Sequence, residues 1–305
     1  MLWLRLTYIV LNVVVALLLA PLLHGIERKV KAKVQNRIGP PILQTIYDLG
    51  KLYRRTPIGY STASWVLISM SFSYALILTL LIPTAFNVSL GFTNDLILVI
   101  YLLTSTSVLM ALAAIAGASP YSGVGSSREA SLVMAIELVI AFIIGTLAVS
   151  YGVFTLPKLL PIWDLGFKPS VLGALTLLAI LTYIEGLRLP FDIPEAEPEI
   201  ASGVYVDFSG RVLAAALHTH LLRRLLVTSL FIDFLLPREW FYFRLGGYLI
   251  DLSIIPYLII MVLASVIYAV TEALFGRYRI DAALKLLKAM AIMSLGVMVL
   301  AFTGY

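Results

Sequence analysis

The sequence predicts an all-α integral membrane protein with about eight transmembrane helices, and composition and hydropathy carry that prediction. The chain has 305 residues, is 61% hydrophobic and only 13% charged, and has a mean hydropathy of +0.99. It contains repeated apolar stretches of about the 20 residues that a helix needs to cross a bilayer. No linker, low-complexity run or soluble domain interrupts them, so residues 1–305 are interpreted as a single membrane domain.

Each predicted membrane helix corresponds to one apolar stretch. The stretches are 2–26, 64–90, 94–117, 131–151, 171–187, 211–235, 251–275 and 283–303. A further short helix is predicted in the first loop, after Gly39-Pro40-Pro41, where apolar residues recur on one helical face. Those residues are Ile42, Leu43, Ile46, Leu49 and Leu52.

Basic residues are distributed unevenly between the two sets of loops, and this predicts an orientation. The loop after the first helix carries Arg28, Lys29, Lys31, Lys33, Arg37, Lys51, Arg54 and Arg55. Because basic loops stay in the cytoplasm, we expect a multi-pass protein of the cell (cytoplasmic) membrane with both termini outside. The net charge of +5 follows from this bias, and no nucleic-acid partner is expected.

An acidic segment is the most informative feature of the chain, because charge at membrane depth is costly and usually functional. Six of the 17 carboxylates lie between positions 185 and 207: Glu185, Asp192, Glu195, Glu197, Glu199 and Asp207. Pro190, Pro194 and Pro198 recur every four residues and exclude a regular helix. Irregular backbone near a membrane persists only where protein buries it or where it lines a wet cavity. We expect a cytoplasmic pocket, with a charged surface loop as the alternative.

Polar residues within the predicted helices are further candidates. Glu137 lies midway along the 131–151 stretch, where a carboxylate should be neutral, paired or hydrated. It is interpreted as a relay group, with a structural hydrogen bond as the alternative. His220 and Arg224 share a face of the 211–235 helix. His220 is interpreted as a proton carrier, with a packing histidine as the alternative. Arg224 is expected to neutralise the charge of buried carboxylates or to extend its guanidinium to the membrane interface. Arg128 is placed to reach the acidic pocket or to anchor at the headgroups.

The chain offers no evident catalytic or metal centre of its own. It has no cysteine, and so no thiolate for an iron–sulfur cluster or a zinc site. It lacks a P-loop, a His-Glu-x-x-His motif and a Gly-x-Ser-x-Gly motif. We expect no catalytic residues, no bound metal and no cofactor in this chain, so that any redox centre belongs to a partner.

The acidic segment and three other stretches closely resemble the subunit 1 (H-type) family of respiratory complex I. The segment reads Glu185-x-x-Arg188-x-Pro-Phe-Asp-x-Pro-Glu-Ala-Glu-x-Glu199 and is followed by Asp207-Phe-Ser-Gly. The other stretches are Glu27-Arg-Lys through Asn36-Arg-Ile-Gly-Pro40, Arg128 with Glu137, and Arg277-x-Arg279-x-Asp281. The resemblance implies eight transmembrane helices and a heel that joins a redox arm to an ion-pumping arm.

Departures from the quinone-reducing pattern indicate a branch of that family. Gly39-Pro40-Pro41 runs almost directly into Leu43-Gln44 and Asp48-Leu-Gly-Lys51. This short loop is similar to that of energy-converting membrane-bound [NiFe] hydrogenases and archaeal sulfane-sulfur reductases. His220 lies near where complex I members commonly carry an acid, and Asp207 replaces their usual Glu.

The resemblance therefore implies a membrane anchor and coupling subunit of a ferredoxin-oxidising complex that translocates protons or sodium ions. The implied partners are hydrogenase-like large and small subunits, a ferredoxin-like subunit and antiporter-like membrane subunits, with iron–sulfur clusters and a nickel–iron or other metal centre in those partners. Relay roles fall to the six carboxylates of the acidic segment with Glu137 and His220. The residues expected to act as charge partners are Arg128, Arg188, Arg211 and Arg224. The residues expected in the partner-docking loop are Arg28, Arg37, Gly39, Pro40, Asp48 and Lys51.

Two alternative functions remain open from the sequence. One is a quinone- or phenazine-chamber subunit of a complex I-like dehydrogenase, which keeps the family but changes the electron acceptor. The other is a stand-alone cation/proton antiporter, which would have no hydrogenase-like or ferredoxin-like subunits encoded beside it.

Overall fold

The computed structural model describes residues 2–59, 61–86, 90, 95–117, 119–156, 168–236, 241–245 and 248–304. Within these ranges lie nine helices of eleven residues or more and one β-hairpin. The helices are α1 Leu2–Val34, α2 Gln44–Arg54, α3 Thr62–Leu81, α4 Asp95–Ile115, α5 Pro120–Tyr151, α6 Pro169–Glu185, α7 Gly210–Leu235, α8 Ile254–Leu274 and α9 Ile280–Phe302. The hairpin pairs β1 Tyr242–Leu245 with β2 Tyr248–Asp251.

All eight apolar stretches contain a helix, although several boundaries differ from those predicted. Helix α5 begins at Pro120 rather than at 131, because Ser119 caps it and Pro120 occupies its first turn. Helix α3 ends at Leu81 rather than at 90, two residues before Pro83. The hairpin was not predicted and departs from a purely helical fold. Its antiparallel strands flank Gly246-Gly247 in the sequence, a pair typical of tight hairpins.

Six of the described helices are long and apolar enough to span a membrane: α1 (over Thr7–Val34), α3, α4, α5, α8 and α9. Helix α6 is apolar but has only 17 residues. Helix α7 has 26 residues and carries His, Arg and Asp side chains along its length. The prediction of eight crossings is therefore confirmed for six helices by length and composition, and is not confirmed for α6 and α7.

Helix α7 lies at the centre of the bundle. It packs against α1, α2, α3, α4, α6 and α8, while α5 packs against α4, α6 and α9. Most of its side chains are buried, including Leu222, Leu226 and Phe234. Because its neighbours surround it, its polar side chains face protein rather than lipid, as expected of polar groups in a membrane helix.

The short amphipathic helix predicted in the first loop is present as α2. Leu49 and Thr45 are buried, Ile46 and Leu52 are half-buried, and the helix packs against α1 and α7. Ile42 and Leu43, which were predicted on the same face, precede the helix and are exposed. Gly25 of α1 permits a close approach just before α2, because a Cβ atom there would lie 1.8 Å from the Ile42 carbonyl oxygen. Helix α2 therefore rests on the bundle by one face.

Several loops meet at one end of the bundle, which we call the polar end; their described residues are 55–59, 61, 116, 117, 119, 186–209 and 275–279. The Ser209 hydroxyl donates to the Ile58 carbonyl and accepts from the Ile58 amide, each at 2.8 Å. The Tyr278 amide donates to the Pro190 carbonyl at 2.9 Å. These bonds fix the acidic segment between the loops that precede α3 and α9.

Candidate functional site

The acidic segment folds back into the polar end as an irregular chain. Helix α6 ends at Glu185, and the segment then forms one helical turn, Glu197–Ile200, and a 3₁₀ turn, Gly203–Tyr205. Phe191, Ile193, Ile200 and Phe208 are all buried. These apolar side chains anchor the segment in the protein. The segment is therefore folded against the bundle, as the pocket prediction requires, and is not a fully exposed surface loop.

Asp192 lies on one wall of this pocket. Its Oδ2 atom accepts a hydrogen bond from Arg277 at 2.8 Å, while Asp192 Oδ1 and Arg277 Nε are buried without hydrogen-bond partners among the described residues. Burial raises the pKa of Asp192 above its ordinary value, against the opposing effect of Arg277. Both residues line a cavity of about 650 Å³ together with Glu195, Ser202 and Tyr205. We call this cavity the carboxylate pocket.

A second cavity, of about 230 Å³, lies between α1, α2 and α7, and we call it the inner cavity. Its polar lining includes His24, Arg28, His220 and Arg224. Leu49, Leu52, Leu217 and Leu221 form its apolar wall. Glu195 and Leu217 line both cavities and therefore stand between them.

Glu195 connects the acidic segment with α7. Its Oε1 atom lies 3.9 Å from Nε2 of His220, and the phenol of Tyr205 donates a hydrogen bond to its carboxylate. The structure thus brings together two predicted relay residues, Glu195 and His220. Tyr205 joins them without having been singled out in the sequence.

Two buried ion pairs lie deeper in the bundle. Arg188 donates to Glu27 at 2.7 Å, and its guanidinium lies 4.5 Å from the ring centroid of Tyr268. Arg223 of α7 pairs with Glu185 at the end of α6. All four charged side chains are at least nine-tenths buried. Arg188 thus has a carboxylate partner, as expected of a charge-partner residue. Glu185 has an arginine partner on α7.

Glu137 is half-buried on α5 and interacts with the Thr104 hydroxyl, Glu185 and Arg223. Glu129, two turns earlier on α5, is buried and interacts with Glu195, Glu185 and Arg223. Glu129 is not among the residues predicted from the sequence, because the apolar stretch that predicts this helix begins only at 131. The Ser119-Pro120 pair is the signal that would have put Glu129 inside the helix.

The remaining predicted relay and charge-partner residues have diverse surroundings. Arg128 donates to the exposed Glu199 at 2.8 Å. Arg211 and Arg224 bind backbone carbonyls rather than carboxylates: Arg211 that of Tyr53 at 3.1 Å, and Arg224 those of Gly186 and Leu187 at 2.6 and 3.3 Å. The Glu197 side chain lies outside the described part of the structure.

Asp207 is placed apart from the other carboxylates, at the start of α5. Its Oδ2 atom accepts hydrogen bonds from the Ser122 hydroxyl at 2.8 Å and from the Ser119 amide at 3.3 Å. A carboxylate at a helix N-terminus is stabilised by the unpaired amides and the helix dipole. The structure therefore gives Asp207 a capping environment, not a shared pocket with Asp192.

The predicted docking residues lie on and beside α2. Arg28 pairs with Asp48 at 3.3 Å, Arg37 donates to the Gln35 side chain at 2.9 Å, and Lys29 donates to the Gly39 carbonyl at 3.3 Å. Arg37 and Lys51 are exposed, whereas Gly39 and Pro40 are half-buried. Among the described residues, no group of three or more His, Asp or Glu side chains is placed to hold a metal ion.

Comparisons with known proteins place this arrangement among respiratory membrane proteins. The family profile described as NADH dehydrogenase matches residues 6–303. The chain is 32% identical to hydrogenase-4 component C of Escherichia coli (strain K12) over 73% of each chain. It is 29% identical to formate hydrogenlyase subunit 4 of the same organism, covering 90% of this chain and 91% of that one.

A ubiquinone-linked relative and a solved structure extend the comparison. NADH-ubiquinone oxidoreductase chain 1 of Arabidopsis thaliana is 29% identical, over 87% of this chain and 87% of that protein. A chain of the archaeal membrane-bound sulfane sulfur reductase, a respiratory membrane complex, superposes with a TM-score of 0.87 at 25% identity. That match covers 97% of this chain and 99% of the other.

Proposed function

The chain belongs to the NADH dehydrogenase family, and we propose that it couples redox chemistry in peripheral subunits to ion translocation in the membrane. As its relatives indicate, it is a multi-pass membrane subunit of a respiratory complex of the complex I or hydrogenase type. The proposed reaction partner is reduced ferredoxin, and the proposed translocated ion is a proton or sodium. The protein serves as the membrane anchor between the two activities.

The carboxylate pocket is the observation that carries this proposal. Asp192 and Glu195 line one cavity at the polar end, where the loops before α3 and α9 meet the acidic segment. Glu195 also faces the inner cavity and lies 3.9 Å from His220. A redox event that changes charge or position at the polar end would alter which of these groups is ionised, because close carboxylates titrate as a coupled set.

The proposed partners follow from what the chain lacks and from its relatives. The chain has no cysteine, so iron–sulfur clusters and a nickel–iron or other metal centre are proposed for hydrogenase-like large and small subunits and a ferredoxin-like subunit. Antiporter-like subunits are proposed as neighbours within the bilayer. We place the exposed Arg37 and Lys51 with their loop at the docking surface for the soluble subunits.

Replacing Asp192 with asparagine tests the coupling role. In Asp192→Asn, and in Glu197→Gln, we expect ion pumping by the whole complex to be abolished while the metal centres of the partners remain assembled, because the amide cannot ionise. The measurements are ions transported per electron in proteoliposomes and the magnetic-resonance spectra of the clusters.

Asp281→Asn is the matched control, since Asp281 is an exposed carboxylate paired with Arg279 at 3.5 Å at the same end of the bundle. It should pump at the wild-type ratio. An unchanged ratio of ions to electrons in both Asp192→Asn and Glu197→Gln would contradict the proposed function.

The inner cavity favours a second candidate function, reduction of a quinone or phenazine. It combines four leucines with His24, His220 and Arg224, and an apolar wall with a few convergent polar groups is typical of sites for small organic ligands. A lipophilic acceptor retained in the purified complex, together with inhibition by compounds that compete for it, would favour this candidate over the hydrogenase-type one.

A further inference from the structure

Between the carboxylate pocket and the middle of the bundle lies a buried carboxylate that the proposed function has not used. Glu129 belongs to α5 and is only 5% exposed. Glu137, on the same helix, lies eight residues further, or about 12 Å along the helix axis. A buried carboxylate without a role in folding or function is unusual, because burying its charge is costly.

Backbone packing places Glu129 beside the acidic segment. Gly125 of α5 lies against the 3₁₀ turn, because a Cβ atom there would lie 2.7 Å from the Val204 amide nitrogen and 2.9 Å from Cα of Gly203. Residues four apart lie on the same face of a helix. Glu129 is therefore one turn deeper than Gly125 on the face of α5 that contacts the turn carrying Tyr205.

The electrostatic neighbours of Glu129 belong to two separate groups. On the side of the acidic segment it interacts with Glu195 and Tyr205, and on the side of the bundle interior with Glu185 and Arg223. The Glu185–Arg223 pair in turn interacts with Glu137. Among the carboxylates described here, Glu129 has neighbours in both the pocket and the interior.

Tyr205 provides a neutral hydrogen-bonding group at this junction. Desolvation raises the pKa of its phenol well above the ordinary value, and the charges of Glu195 and Glu129 add to that effect. The phenol therefore keeps its proton and donates to the carboxylate of Glu195. It can orient that carboxylate without itself becoming charged.

We propose that Glu129 is the relay carboxylate that joins the carboxylate pocket to the buried Glu185–Arg223 pair, with Tyr205 as the positioning residue. In the proposed step a proton leaves the carboxyl group of Glu195 and ends on the carboxylate of Glu129, so the negative charge moves back to Glu195. The negative charge beside Glu185 and Arg223 is thereby neutralised. This inference rests on the proposed function and adds a route to it.

The test compares Glu129→Gln with Glu129→Asp in the whole complex, reconstituted in proteoliposomes. Glutamine keeps the size of the side chain and cannot carry the proton, so we expect the ion-transport rate at saturating electron donor to fall by about 100-fold or more, the scale of a lost proton-transfer group. Aspartate restores an ionisable group and should recover most of that loss. Tyr205→Phe should lower the transport rate less than Glu129→Gln does.

An infrared difference spectrum between oxidised and reduced complex supplies a readout that a structural role would not change. Wild type should show a carboxyl protonation signal that is lost in Glu129→Gln and shifted in Glu129→Asp. Asp281→Asn should retain the wild-type signal. A Glu129→Gln complex that assembles fully and transports ions at the wild-type rate, with an unchanged spectrum, would overturn the inference.

The outcomes separate this inference from the proposed function. If Asp192→Asn and Glu197→Gln abolish pumping while Glu129→Gln does not, only the relay through Glu129 is wrong. If none of the three variants changes the ratio of ions to electrons, the coupling function fails as well. If Glu129→Gln and Glu129→Asp lose transport and assembly equally, Glu129 is structural and the inference is also overturned.

Discussion

At the scale of single residues, charge in this protein is buried in specific pairs. The Glu27–Arg188 pair joins α1 to the acidic segment at 2.7 Å, and the Glu185–Arg223 pair joins α6 to α7. Two oppositely charged partners offset much of the desolvation that either would suffer alone. Nε and one terminal nitrogen of Arg188 nevertheless have no hydrogen-bond partner among the described residues. The Glu27 carboxylate is thus the principal compensation for that buried cation.

Removing one member of this pair should destabilise the protein strongly. For Glu27→Gln we expect the free energy of unfolding to fall by about 3–5 kcal/mol, because the guanidinium of Arg188 stays buried without its counter-charge. Denaturant titration in detergent micelles measures this change. The exposed Arg279–Asp281 pair is the control: Asp281→Asn should change stability by less than about 1 kcal/mol, and an equally small effect of Glu27→Gln would contradict the assignment.

At the scale of secondary structure, α5 and α7 connect the polar end to the bilayer. Helix α5 has 32 residues and is about 48 Å long, well beyond the roughly 30 Å of a hydrocarbon core. Its first turns therefore reach the polar end, where Arg128 meets Glu199, while Glu137 lies deeper. Helix α7 supplies His220, Arg223 and Arg224 to the same region. The two helices position groups from both the pocket and the interior.

The contact between α5 and the 3₁₀ turn depends on the absence of a side chain at Gly125. For Gly125→Ala we expect a loss of about 1–3 kcal/mol in unfolding free energy, because the added Cβ overlaps the backbone of Gly203 and Val204. Gly123→Ala, two residues earlier on the same helix, meets no atom within 4 Å. It should be neutral or stabilising by up to about 1 kcal/mol, since alanine favours helix over glycine. Thermal and denaturant unfolding distinguish the two, and equal stability of both variants would exclude a tight contact.

At the largest scale, the bundle has one end rich in charge, and α1 begins and α9 ends at the opposite end. The chain alternates in direction, so the loops that precede α3, α5, α7 and α9 meet at the polar end, and the loop that follows α1 lies at the same end. The basic residues of the first loop lie at this same end. The positive-inside rule therefore predicts that the polar end faces the cytoplasm and that the termini lie outside.

Cysteine labelling tests this orientation, because the chain has no native cysteine. In intact cells, a membrane-impermeant thiol reagent should label Thr303→Cys, near the C-terminus. Gln35→Cys and Gly276→Cys, at the polar end, should be labelled only after the cells are opened; all three positions are exposed. Detection uses the isolated chain, so cysteines of other subunits do not interfere. Labelling of Gly276→Cys in intact cells together with protection of Thr303→Cys would reverse the orientation.

Local patterns in the sequence were sufficient to predict the class of fold, the amphipathic α2 and the irregular acidic segment. Each depends on a local pattern: apolar runs predict membrane helices, a 3.6-residue period predicts an amphipathic helix, and prolines at 190, 194 and 198 exclude a regular one. The sequence also indicated the family, through closely spaced motifs. It did not predict β1 and β2, or the early start of α5, because the Ser119 cap and Pro120 precede the apolar stretch that begins at 131.

The packing of the helices determines which charged side chains form pairs. Arg188 pairs with Glu27, 161 positions earlier in the chain, and Asp192 pairs with Arg277, 85 positions later. Asp207, predicted as a relay carboxylate, accepts hydrogen bonds at the start of α5, and Glu129, which was not predicted, is buried on the same helix. The sequence identifies the charged side chains whose burial without a partner would cost too much free energy. Their partners depend on helix packing, which brings distant segments within hydrogen-bond distance and which no local pattern encodes.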